Sequence, residues 1–476
     1  MLVPLSTVQQ ATVDWICAGG GSSFGLNVSL SLRFRGSLSR PALERAVAYV
    51  MQRHEGLRTR VQRVNGELLQ SFAEVADSVD LTPIAVAGIA AAEAHVAARL
   101  ASHLDLERNG PVLVELLKLS DDDHVLVLII SHTATDTHAD DLFVAELLAA
   151  YDCHVRGTLP ALPPAMSFSE YIASEAQAGS QIGEQQLQYW AKVISGCTPA
   201  IPLRATGDVA RTVARGRVIT LSTTAETTRR LEALASSSKV SLMAVLCTII
   251  FLAIWQEYAL EDVCAFMTHA GRDSSRLRTL GASVGRDFLI RVALRNAASL
   301  ADLTKLVQTA LIRSAMSSRL PFTHDRAVAQ LSERGVLGSG AGPDRGARRR
   351  AHLHITDALR VGNGALAMTP GLTVERVMPG PLLNDHFQFN APDDGENPLD
   401  APYVGILNLL LRRDLSPEAG APISFVAVFV DDLLDEGVVR AFLERICSVA
   451  ERAGRGDPFL PLMRSRCLKE GERDSI

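Results

Sequence analysis

Residues 131–137 read Ser-His-Thr-Ala-Thr-Asp-Thr, with His132 and Asp136 four positions apart and His138 just beyond. Histidine is the side chain whose ordinary pKa lies closest to neutral pH. His132 is therefore the natural candidate to take a proton from an amine or hydroxyl, or to hold such a group in line. A histidine followed four residues later by an acid is a loose pattern, and a lone histidine at a strand end is more often structural than reactive. Its setting gives it weight. Residues 125–130 are Val-Leu-Val-Leu-Ile-Ile. A run with no polar alternation reads as a strand covered on both faces, and it delivers His132 to the strand's end. Asp140 and Asp141 then open a helical stretch, 138–155, at the positive end of its dipole.

The elements around this stretch read as a mixture of strands and helices. Residues 26–35 alternate apolar and polar, as a half-buried strand does. Ser39 is placed to cap a helix with Pro41 in its first turn and Leu43, Ala46, Val47 and Val50 inside; Gly56 is expected to stop it. Asn65-Gly66 predicts a hairpin turn within 60–72, residues 88–103 a helix, and 111–119 with 124–131 a hairpin of two strands. A proline-rich stretch at 156–166 marks a boundary. A second series follows: strands at 215–221, 262–269, 284–295, 403–412 and 422–430, and helices at 224–237, 240–258, 301–317 and 434–453. The fold class expected is α/β, helices on a mixed or antiparallel sheet, in two domains, 1–165 and 166–476.

The chain of 476 residues is 47% hydrophobic and 21% charged, which suits a globular protein with more than one core. A net charge of -6 and a pI near 6.1 argue against nucleic acid as a partner. The seven cysteines include no CxxC pair, so disulfides and cysteine-metal sites are not expected. The N-terminus lacks the pattern of a secretion signal. Residues 240–256 are uncharged but short for a membrane span and contain Ser241, Thr248 and Gln256, so they read as a buried helix. A cytoplasmic protein with no membrane partner is the expectation. His352 and His354 share a face but have no third ligand in view.

Several stretches, in order, carry a resemblance. They are PLSTVQQ at 4–10, RHEGLRTR at 53–60, SHTATDT at 131–137, Tyr189-Trp190, Gly271-Arg272 with LGASVGRDFLIRVAL at 280–294, Pro321-Phe322, and FVAVFVDDLLDEGVVRAFLERI at 425–446. Together they resemble the condensation domains of nonribosomal peptide synthetases and their stand-alone relatives among the HxxxD acyltransferases. The resemblance implies two chloramphenicol-acetyltransferase-like lobes forming a V-shaped pseudo-dimer, with a tunnel between them. It implies no permanently bound cofactor and no metal. The acyl group would arrive on the phosphopantetheine arm of an acyl or peptidyl carrier protein, and a small-molecule or carrier-bound nucleophile would meet it.

By the same resemblance His132 is the catalytic residue, as base or as positioning and stabilising group. Asp136 is a structural residue that needs a cationic partner; Arg291 is the first choice and Arg272 the second. Two departures stand out. Ser131 replaces a histidine, keeping a hydrogen bond without the bulk of a ring. Thr137 replaces a tunnel-lining glycine, which is expected to narrow the space and restrict φ. Arg345, Arg348, Arg349 and Arg350 form a basic cluster, either a solvated loop or a steering patch for an acidic carrier. The leading expectation is a stand-alone condensation-type acyltransferase making an amide or ester in nonribosomal peptide, polyketide or antibiotic biosynthesis. The alternatives are a catalytically degenerate recruitment protein and an acyl-CoA-dependent acyltransferase.

Overall fold

The computed structural model describes residues 2–18, 27–100, 102–179, 184–194, 200–204, 213–317, 350–358, 365–366, 371–377, 388–390, 406–413, 420–430 and 434–457. The motif strand, Asp123–Ser131, lies inside a six-stranded sheet between Asn27–Gly36 and Val112–Ser120 and runs antiparallel to both. Its lack of polar alternation now has a cause. Leu126, Leu128 and Ile130 pack on one face with the helices Arg40–Arg53 and Thr137–Val155. Val125, Val127 and Ile129 pack on the other, with Ala92 and Val96 of the helix Ile89–Leu100. A strand with helices over both faces has no side to give to water.

A second, eight-stranded sheet carries Arg286–Ala293 at one edge, then Asp262–His269, Arg350–Ala358, Ile406–Arg413, Ile423–Val430 and Val213–Ser222. It is mixed: Arg350–Ala358 runs parallel to Asp262–His269 and Ile406–Arg413, and the remaining pairs, including Arg350–Ala358 with Ala200–Arg204, are antiparallel. The helices Ala225–Ser238, Leu242–Tyr258, Leu300–Ser317 and Glu436–Gly454 share its core. Leu242–Tyr258 is buried almost throughout, as a core helix. Among the described residues, no single helix is long and apolar enough to cross a membrane. Both sheets have the mixed α/β character expected.

A clean division at residue 165 does not describe the sheets. Leu372–Val377 leaves the second half and pairs antiparallel with Asn27–Gly36, joining the first sheet at its edge. A separate small sheet holds Val3–Pro4, Glu67–Phe72 and Thr59–Val64, and its hairpin turns at Asn65 (φ 52°) and Gly66 (φ 89°) as the dipeptide predicts.

Local expectations met corrections. The helix over 40–53 ends at His54, and Gly56 sits beyond it in a 3-10 turn. Its role is close approach: a Cβ there would lie 2.6 Å from the carbonyl oxygen of Gly281. Ser39 occupies the N-cap position without a side-chain bond; its N–H donates to the Tyr151 hydroxyl at 3.0 Å instead. Cys264 is disulfide-bonded, against expectation. No CxxC spacing in the sequence announces it. Pro321-Phe322, Arg345, Arg348, Arg349 and most of the loop over 336–351 also lie outside the described residues.

Candidate active site at the end of a buried strand

Ser131 is the last residue of the motif strand; its N–H donates to the Pro111 carbonyl at 2.8 Å and its Oγ lies 2.9 Å from Thr133 Oγ1. The tight turn that follows closes with Ala134 N–H donating to the Ser131 carbonyl at 2.8 Å. His132 projects from it, exposed, with Nδ1 2.7 Å from the Thr135 carbonyl oxygen. A carbonyl oxygen only accepts, so Nδ1 carries the hydrogen, and in the neutral ring the lone pair is on Nε2. Thr135 is fixed in turn, its hydroxyl donating to Asp140 Oδ1 at 2.6 Å. Burial pushes the Asp140 carboxyl up to about 6, and the Thr135 hydroxyl works against that shift.

Asp136 ties this turn to the second half of the chain. Oδ1 caps the helix Thr137–Val155 by accepting from Ala139 N–H at 3.0 Å. Oδ2 accepts from Val284 N–H at 3.0 Å and Gly285 N–H at 3.1 Å, and pairs with the Arg272 guanidinium. Arg272, with 3% of its side chain exposed, also donates to the carbonyls of Ala270 at 2.7 Å, Ala282 at 2.8 Å and Leu280 at 3.3 Å. Gly271, at φ +68°, supplies the left-handed turn that folds the arginine back.

Arg291 is not the partner of Asp136. It pairs with Asp262 across the neighbouring strand, Nη2 to Oδ2 at 2.7 Å, with 24% of its side chain exposed. Asp136 meets the backbone where the strand Arg286–Ala293 begins, and Arg291 lies near that strand's far end.

Thr137 is the first residue of its helix and exposed, and its backbone is not left-handed. A β-branched side chain there imposes no backbone strain, so the expected restriction of φ does not arise. His138 spans the two halves, Nε2 donating to the Arg278 carbonyl at 3.0 Å.

The surrounding contacts brace each half, and one of them crosses between the halves. Arg53 Nε and His54 Nε2 each lie 2.7 Å from Glu146 Oε2; burial raises the Glu146 pKa, but these partners bring it below the ordinary carboxylate range. Phe168, Tyr171 and Ile172 pack with Leu280, Ala282 and Val284 in a shared apolar cluster. Arg376, on the crossing strand, pairs with Asp141 at 2.8 Å. Tyr189 and Trp190 are structural: Tyr189 Oη lies 2.7 Å from Ser314 Oγ, and Trp190 is 1% exposed.

The second sheet contributes three side chains that the sequence reading did not bring together. Thr268 Oγ1 donates to Asp287 Oδ1 at 2.9 Å and lies 2.9 Å from His354 Nε2, which is itself 3.3 Å from Asp287 Oδ1. No short sequence signal links these positions, because strand pairing assembles them. Among the described residues, no three metal-ligating side chains converge.

Comparison with known proteins fits this geometry. Residues 3–328 match the family model of the condensation domain. The chain is 25% identical over 347 residues to the probable non-canonical nonribosomal peptide synthetase CymA of Salinispora arenicola, a match covering 71% of this chain and 4% of that protein. It therefore spans only a small part of this curated relative. Among solved structures, the X-domain in its complex with OxyB from teicoplanin biosynthesis superposes with a TM-score of 0.73 at 21% identity, covering 96% of this chain and 94% of that one. The PapA2 acyl transferase superposes with a TM-score of 0.73 at 14% identity, covering 95% and 92%. At these identities the superpositions carry the fold.

Proposed function

The chain belongs to the condensation-domain family, and on that premise we propose that it transfers an acyl, peptidyl or polyketide group from a carrier protein's phosphopantetheine thioester to an amine or hydroxyl. The observation that carries this reading is the state of His132. Its Nδ1–H is spent on the Thr135 carbonyl, which leaves Nε2 as the ring's remaining nitrogen, on a turn held by both halves of the molecule. A neutral imidazole so fixed accepts the nucleophile's proton as the nucleophile attacks the thioester carbonyl. The carbon–sulfur bond then breaks, and the same proton is available to the departing thiolate. Thr135 and Asp140 position the ring; Asp136 and Arg272 position the turn.

The phosphopantetheine arm comes with the substrate in this reading, and no resident cofactor takes part. Carrier protein and nucleophile are its partners, and the cytoplasm its location. The free-standing role belongs to the same proposal.

A second reading, recruitment without catalysis, draws support from the X-domain that was solved in complex with OxyB, and from the Ser131 and Thr137 departures. The test is direct. A carrier protein is loaded with an acyl chain, amines and alcohols are offered, and transfer is followed by intact-protein mass spectrometry. Transfer that falls at least about 100-fold in His132→Ala supports the enzyme. Carrier binding with no transfer to any nucleophile supports recruitment. Transfer from acyl-CoA alone points to the CoA-dependent alternative.

A further inference from the structure

We infer that Asp140 is the acid that backs His132: its negative charge, held on the far side of Thr135, stabilises the positive charge that the imidazole takes on during transfer. The inference rests on the acyl-transfer reading above and adds to it a residue that acts through its charge as well as through its hydrogen bond.

When the nucleophile gives up its proton, His132 becomes an imidazolium, and a positive ring is stabilised by an anion close by. Three acids lie within ten residues of it. Asp136 is already taken: Oδ2 meets the Arg272 guanidinium and two amides, and Oδ1 meets the Ala139 N–H. Asp141 pairs with Arg376 at 2.8 Å. Asp140 is the third. Among the described residues its carboxylate accepts the Thr135 hydroxyl at 2.6 Å and pairs with no lysine or arginine.

Thr135 joins acid and ring through two different atoms. Its carbonyl oxygen accepts the His132 Nδ1–H at 2.7 Å, and its hydroxyl donates to Asp140 Oδ1. No proton runs along this path; the link is electrostatic. Thr135 is 0% exposed, so bulk water does not stand between the two groups, and a poorly screened charge acts over several contacts.

The charges around Asp140 fit this role. Burial pushes its carboxyl up to about 6; the Thr135 hydroxyl, Arg376 and a charged His132 favour the ionised form, and Asp136 opposes it. The carboxylate is therefore ionised at neutral pH, at a cost in stability. The side-chain cap of the helix is Asp136, so Asp140 is not needed for that end. Coupling between two sites is reciprocal: if a positive His132 favours ionised Asp140, ionised Asp140 favours a positive His132.

Two measurements on the full chain test this. The first needs no substrate. Aspartate carries 13C at Cγ, and the Asp140 resonance is identified by its loss in Asp140→Asn. Its titration midpoint is expected to rise by about half a pH unit or more in His132→Gln. It should stay in place in His138→Gln, whose native ring bonds the Arg278 carbonyl instead. The second uses the loaded-carrier assay at about pH 8, where wild-type Asp140 is ionised. Asp140→Asn keeps an acceptor for the Thr135 hydroxyl and removes the charge, and transfer is expected to fall at least about tenfold. Urea denaturation, in which this variant should be no less stable than the wild type, separates that loss from unfolding. An Asp140 midpoint indifferent to His132→Gln, or transfer by Asp140→Asn within about twofold of the wild type, overturns the proposal. Coupled titration in a chain that transfers nothing sinks the transfer reading and leaves the charge pair standing; His132-dependent transfer without coupling does the reverse.

Discussion

The exchange of Arg291 for Arg272 as the partner of Asp136 makes a quantitative prediction. Arg272→Met removes a cation of which 3% is exposed from a carboxylate of which 11% is exposed. Asp136 keeps three backbone donors, at Ala139, Val284 and Gly285, but loses its one counter-charge among the described residues, and three carbonyls lose a donor. Breaking a buried pair from one side costs about 3–5 kcal/mol. Arg291→Met breaks a pair whose members are 24% and 34% exposed. Exposed pairs contribute about 0.2–1 kcal/mol, so that variant should lie near the bottom of any stability series. Urea denaturation at neutral pH measures both. A double-mutant cycle with Asp136→Ser isolates the coupling, expected above about 1.5 kcal/mol because neighbours in one network are non-additive. Equal losses in the two arginine variants, or an Arg272→Met loss below about 1 kcal/mol, would refute the assignment of the interlobe clamp.

Other perturbations probe the same site. Asp140 titrates at about 6 in the folded chain against an ordinary 3.8, so the folded state binds its proton more tightly than the unfolded one. This penalty is absent below the ordinary carboxylate pKa, grows as pH rises through about 6, and is complete by neutrality. Asp140→Asn should therefore be more stable than the wild type at pH 7 by up to about 3 kcal/mol, with the gap closing towards pH 4 in urea titrations. Two glycines in one segment should respond very unequally. A Cβ at Gly281 would collide with the rings of His54 and Phe143, while one at Gly285 would meet its nearest neighbours at 3.7 Å. Gly281→Ala should lower the urea midpoint by the equivalent of about 2 kcal/mol or more, and Gly285→Ala by less than about 0.5. Thr137→Gly, at a helical backbone position, should cost no more than about 1 kcal/mol, measured the same way.

The sequence was most informative where a local pattern has one cause. The uniform apolar run before His132 meant helices on both faces, and helices on both faces are found. Asn65-Gly66 demanded a left-handed turn, and one is found. What escaped it depends on which distant elements meet. Arg291, on the strand expected at 284–295, is the first choice from sequence, yet strand register sends it to Asp262. Arg272 acts from a loop, through a glycine turn that points it backwards. Thr268, Asp287 and His354 become neighbours only after three strands align, and no cysteine spacing signals the Cys264 disulfide. Gly56 looked like a helix stop, but its small size serves a contact with Gly281 that local sequence does not encode.

The crossing of Leu372–Val377 onto Asn27–Gly36 also sets an order of events during synthesis. While the ribosome is still translating the middle of the chain, the Asn27–Gly36 strand has a neighbour on one side only, and its other backbone edge is open to any passing β-strand. The first sheet cannot close until residue 377 has emerged, more than three hundred residues after the strand it completes. Truncations that stop short of this point should thus leave an early sheet with a sticky margin, prone to pair with other nascent chains, however complete the sequence around His132 is.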